Sequence, residues 1–201
     1  LYMVFFSTVF SILIGFPLGI LLVITEKGNI WEKPILNNVL NSIINLLRSF
    51  PFLILMILLF PLSKLIIGKT IGTTATIVPL SIAAAPFVAR VMESSLKEVD
   101  RGVIELSLSM GATTPQIITR VLIPEALPSI ILGITLTIIN IIGYSAMAGS
   151  IGGGGLGDLA IRFGLYRFQT NVMVIAVIII IILVQSVQFV GNTISAKLNK
   201  K

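Results

Sequence analysis

Five stretches of this sequence run for about 20 residues with almost no charge, and that feature constrains the fold more than any other. A helix that crosses a hydrocarbon core of about 30 Å needs roughly 20 predominantly apolar residues. The runs are Tyr2 to Thr25, Asn38 to Leu62, Ile71 to Ala89, Ala126 to Ala148 and Phe168 to Ala196, and only the second contains a charge, Arg48. Backbone groups in lipid must satisfy one another, and the runs are continuous rather than alternating, so helices are expected and a β-barrel is not. Apolar residues make up 56% of the chain and charged residues 11%, too little charge for a water-soluble surface. The expectation is an all-α membrane protein with five transmembrane helices, forming one transmembrane domain over residues 1–201.

Residue types remove several kinds of chemistry. The chain has no cysteine and no histidine. Disulfides, thiolate chemistry, the usual zinc sites and histidine-based acid–base catalysis are therefore excluded within it. The net charge of +6 does not indicate nucleic acid, because the basic residues stand singly between apolar runs rather than on one face. They are read instead as topology signals. The first residue is Leu1, so the sequence is expected to continue upstream. The first run has no basic segment before it and no cleavage site, and reads as a spanning helix. One side of the five-span arrangement collects Lys27, Lys33, Arg90, Lys97, Arg101, Arg120, Lys197, Lys200 and Lys201; the other has Lys64, Lys69, Arg162 and Arg167. Positive residues accumulate on the cytoplasmic side. The N-terminus is thus expected outside, the C-terminus inside, and the connection from Arg90 to Glu125 in the cytoplasm.

That connection, about 97–123 at its centre, is the only extended stretch that is both charged and amphipathic. Two short helices are expected. In the first, Val99, Val103, Leu106 and Met110 form one helical stripe, with Asp100, Arg101 and Glu105 among the polar positions. Gly111 ends it, Thr114 caps the second helix, and Pro115 occupies that helix's first turn. Ile117, Ile118, Val121 and Leu122 follow, and Pro124 and Pro128 mark the entry to the fourth span. From periodicity alone the stretch could equally be an ordered loop lying on the membrane.

Glu105, Gly111 six residues later, then Val121, Ile123 and Pro124 resemble the cytoplasmic signature of ABC importer permeases. That signature is Glu-Ala-Ala, three residues, Gly, nine residues, Ile-x-Leu-Pro. Leu106 and Ser107 replace the two alanines, Val121 the isoleucine and Ile123 the leucine, while the spacing is intact. The resemblance implies a pair of coupling helices seated in a groove of a separate ATPase subunit. Glu105, Gly111, Ala112, Pro115 and Pro124 would lie in that segment. A rigid elbow of this kind can pass a rigid-body movement to spanning helices, which a flexible loop could not.

From about Asn37 to Gly191 the strings RSFPF, GKTIGTTATIVPLSIAAAPFVAR, LIPEALP and GYSAMAG are similar to the methionine-importer permease family. The resemblance implies a non-catalytic bacterial inner-membrane subunit importing methionine in both L and D forms, or another amino acid. The implied partners are a second copy, two ATPase subunits that bind ATP and Mg, and an extracytoplasmic methionine-binding protein. It also makes Tyr144, Ser145 and Met147 candidate gate or pathway residues. The small residues Gly143, Ser145, Ala146, Ala148 and Gly149, near the expected end of the fourth span, could instead serve helix packing alone. Asn37, Asn41, Asn45 and Arg48 share one face of the second span and should meet protein, water or the interface, since they are costly in lipid.

Two nucleotide-like strings are discounted. Gly152, Gly154 and Gly157 match GxGxxG but follow a spanning helix rather than a strand, and Gly68-Lys69-Thr70 lacks the first glycine of a phosphate loop, Ser63 standing there. A secondary transporter or channel would usually carry an acid inside a span, and here the acids fall in connections, Asp158 being the nearest exception. No inverted repeat of a broken helix pair is visible. An intramembrane enzyme is disfavoured by the same residue inventory.

Overall fold

A computed structural model describes residues 1–199; Lys200 and Lys201, both counted in the charge asymmetry, lie outside the described residues. The chain is helical almost throughout. The first, third and fifth runs form α1 (Tyr2–Ile24), α5 (Thr73–Lys97) and α10 (Thr170–Leu198). Between them lie α2 (Pro34–Ser49), α3 (Phe52–Leu58), α4 (Phe60–Ile67), α6 (Arg101–Ser109), α7 (Thr114–Ile117), α8 (Ile123–Gly149) and α9 (Gly155–Leu159). Among the described residues, four unbroken rods are long and apolar enough to cross a membrane. A fifth crossing is possible through α2 and α3, which are bent by 103°.

That bend corrects the expectation of a straight second span. Pro51 has no N–H to donate and clashes with a helical conformation in the residue before it, so Phe50 is extended, with ψ 131°. The chain turns there, and a second break at Leu59, just before Pro61, separates α3 from α4. The third span is also longer than expected. It continues past Ala89 to Lys97, so Arg90, Glu93 and Lys97 belong to a helix and the connection proper begins at Glu98.

The main core joins α1, α5, the connection and α8. Val23, Val88, Met92, Leu96, Ile104, Ile117, Leu122 and Ile130 form one buried cluster. α1 and α5 approach closely because two positions on α1 lack side chains: a Cβ on Gly15 would sit 2.5 Å from the Ala85 carbonyl oxygen, and one on Gly19 2.5 Å from Met92 Cβ. α10 packs far less. Only 6% of its most apolar stretch is buried. Its fixings include the Ser195 hydroxyl, which donates to the Pro128 carbonyl at 2.9 Å, and Gly191, set against Thr135.

The polar stripe on α2 faces protein, as its cost in lipid requires. Asn37 Nδ2 donates to the Leu22 carbonyl (2.7 Å) and to Thr25 Oγ1 (3.0 Å), and Asn41 Nδ2 donates to Asn37 Oδ1 (2.8 Å). Asn45 Oδ1 accepts from Arg90 at 2.8 Å. Arg90 also pairs with the buried Glu93 at 2.6 Å, and Lys97 bridges Glu93 (2.9 Å) to Glu26 (3.0 Å). The chain of contacts ties α1, α2 and α5 together near α6.

Candidate coupling segment and translocation face

The connection between α5 and α8 is built from stop and start signals in close succession. Asp100 caps α6, its carboxylate accepting from the Gly102 N–H at 2.7 Å. At the other end Ala112 N–H donates to the Ser107 carbonyl (3.0 Å) and Gly111 N–H to the Leu108 carbonyl (2.9 Å), the paired closure of a Schellman motif. Gly111 takes φ +79°, and nothing lies within 4 Å of where its Cβ would be, so the site selects glycine by backbone conformation rather than by space. The next helix starts one residue earlier than expected. Thr113 is its cap, with Gln116 Oε1 accepting from the Thr113 N–H at 2.8 Å; Thr114 and Pro115 form the first turn.

The second expected short helix is not separate. α7, a π-helical turn over Ile118–Leu122 and α8 form one 36-residue rod from Thr114 to Gly149. Pro124 cannot donate an N–H and crowds the carbonyl four residues back. The rod absorbs this by widening: Ile123 N–H bonds to Ile118, five residues back, rather than breaking the helix. Pro124 thus lies inside the rod, at a junction that sequence marks as an entry.

The stripe inferred for α6 divides between two environments. Val99 lies before the cap and is buried, and Ile104 is buried in the main core. Val103, Leu106 and Met110 are uncovered, Met110 to 80%. Glu105 and Pro115 are exposed, and Ala112 packs half-buried against the core. Beside them Met110, Gly111, Ala112, Gln116 and Arg120 line a shallow depression of about 390 Å³. One helix therefore presents an apolar face outward while its other face, through Ile104, is keyed into the cluster that holds α1, α5 and α8.

Tyr144, Ser145 and Met147 do not form one cluster. The Tyr144 ring stacks on Phe52 with centroids 4.3 Å apart and planes 5° from parallel. The Ser145 hydroxyl donates to the Ile142 carbonyl at 2.8 Å, and the residue lines a small crevice with Val4, Leu156 and Ile180. Met147 is 51% exposed, on a face of α8 that also exposes Leu132, Leu136 and Gly143. The small residues near the end of α8 do receive a neighbour. Gly157 of α9 sits directly on Ala146, and Gly149 on Gly157 and Asp158, while Gly143 has open space beside it.

The sequence profile of the family described as the binding-protein-dependent transport system inner membrane component matches residues 12–200. The chain belongs to that family. It is accordingly a non-catalytic inner-membrane transport component, and the coupling signature read around Glu105 and Gly111 falls inside the matched region. Among curated members, the probable D-methionine transport system permease protein MetI of Vibrio cholerae is 47% identical over 201 residues, covering all of this chain and 89% of the relative. The methionine import system permease protein MetP of Bacillus subtilis is 45% identical over 181 residues, covering 90% of this chain and 82% of the relative. An inward-facing structure of the MetNI methionine ABC transporter aligns with TM-score 0.97 at 41% identity, over 99% of this chain and 92% of the other.

Proposed function

We propose that this chain is the permease subunit of an ATP-binding-cassette importer and forms the membrane path for methionine, of both L and D configuration. The observation that carries the coupling role is the outward apolar face of Val103, Leu106 and Met110 on a helix whose inner face is locked into the core. An exposed apolar patch on a short, capped, rigid helix suits a protein partner. The similarity to methionine permeases along the whole chain supports the substrate.

In this reading two copies pair around the path, and two ATPase subunits bind ATP and Mg and seat α6 and the start of α7. Glu105, Gly111, Ala112, Pro115 and Pro124 belong to that contact or its junction. An extracytoplasmic binding protein delivers methionine to the opposite end. The N-terminus lies outside and the C-terminus inside, as the distribution of lysine and arginine favours. Tyr144, Ser145 and Met147 serve the path, Met147 from the exposed face of α8 and Tyr144 from beside the α2–α3 bend.

Reconstitution tests this directly. Proteoliposomes holding the permease, its ATPase and the binding protein should accumulate radiolabelled methionine only with internal ATP. Uptake of another amino acid in preference to methionine would favour the broader amino-acid reading, and uptake without the ATPase a secondary transporter.

A further inference from the structure

The bend between α2 and α3 borders a half-open cavity of about 190 Å³ whose walls include Arg48, Phe50, Phe52, Ala83, Phe87 and Tyr144. Four aromatic rings and one cation thus line the same space. No acid lines the space. The other members of the α2 polar stripe have partners: Asn37 and Asn41 bond locally and Asn45 receives Arg90. Among the described residues the Arg48 side chain has no hydrogen bond and no ion pair, and the residue is exposed. Cations within the membrane-spanning part of a chain are rare and mark substrate or ion paths. An unmatched guanidinium there suits an anion that the chain does not itself supply.

We infer that this cavity is a substrate subsite, in which Arg48 holds the α-carboxylate of one methionine while the stacked Phe52–Tyr144 pair and Phe87 receive its thioether side chain. The inference rests on the methionine-permease reading. A guanidinium accepts a carboxylate through two parallel N–H bonds. A thioether packs favourably against ring edges, and a ring face accepts an ammonium group. Methionine has nine non-hydrogen atoms, which at the packing of protein interiors occupy on the order of 150 Å³ and so fit the space. Pro51 shapes the site: in a straight helix Phe50, two residues on from Arg48, would face away from it, whereas at the bend Phe50 lines the same space.

The chain has no native cysteine, so Ala83→Cys or Phe50→Cys places one thiol of this chain in the wall. Each variant is assembled with its ATPase in nanodiscs, and its modification by a small methanethiosulfonate reagent is followed by mass spectrometry of this chain. Uptake by each variant and by the unaltered assembly is measured in parallel. Saturating methionine should slow modification about tenfold or more at both positions. Methioninol, which lacks the carboxylate, should not. Protection should vanish with Arg48→Gln and return in part with Arg48→Lys. Equal protection by methioninol, or modification unaffected by methionine in an assembly that imports it, overturns the subsite. A rate that follows anionic-lipid content and ignores methionine assigns Arg48 to a lipid phosphate and also overturns it. Failure of the unaltered assembly to import methionine would overturn the permease reading instead.

Discussion

At the residue scale, Gly111 separates conformation from space most cleanly. A side chain there meets nothing, yet the backbone is left-handed. That conformation costs an ordinary residue about 1–2 kcal/mol, and a β-branched residue suffers most. Gly111→Val should therefore leave the chain inserted and folded while ATP hydrolysis no longer drives uptake, and Gly111→Asn, which tolerates the left-handed region, should retain more transport. Uptake per ATP hydrolysed in proteoliposomes checks this, and wild-type coupling in Gly111→Val would remove the role. The glycine itself was legible in the sequence, because a short amphipathic run ending in Gly followed by Thr and Pro has few other readings. The cap lies one residue before the position the sequence suggests, since Thr113 and Thr114 are chemically alike and only the Gln116 contact chooses between them.

At the scale of elements, sequence identified which residues share a helical stripe and could not say what covers it. Val103, Leu106 and Met110 have the spacing of a core face and are bare, whereas Ile104, outside the stripe, is buried. Two substitutions on α6 should thus fail differently. Leu106→Glu should cut recovery of the ATPase with the purified permease at least severalfold and leave the thermal midpoint of the isolated chain unchanged. Ile104→Ala should lower that midpoint, consistent with a loss of about 2–5 kcal/mol for truncating a buried Ile. Differential scanning fluorimetry in detergent and co-purification together distinguish the two. The α2–α3 bend is written in Pro51 and the α3–α4 break in Pro61, but a search for apolar runs passes over single prolines, so the run from Asn38 to Leu62 reads as one straight span. The site that follows from the bend, with Arg48 among aromatic rings, was hidden for the same reason. The polar stripe was legible, because asparagines at helical spacing within apolar text need partners wherever they lie.

At the scale of the whole molecule, five apolar runs announced the architecture, while the division of labour among the helices did not show. α1, α5 and α8 share the core with the coupling segment, and α10 leaves most of its surface for lipid or a second copy. The orientation reading can be checked on this molecule with little disturbance. A cysteine at Thr70 should react with a membrane-impermeant thiol reagent in intact cells, and a cysteine at Ala112 only in inside-out vesicles. Reversal of that pattern would place Glu105 and Gly111 on the outer face and end the coupling proposal.

The widened turn at Ile118–Leu122 acts as a phase shifter along a screw. Each residue of an α-helix advances the azimuth by about 100°, so the surplus residue housed in that turn sets which way the tip of the rod points relative to its shaft. Pro124→Ala restores the N–H and removes the clash, so the turn should tighten into plain α-helix and swing Gln116 and Pro115 around the axis by about 100°, leaving the path intact and the tip aimed at the wrong neighbour. Insertion and stability should survive that substitution, while recovery of the ATPase with the purified permease should fall.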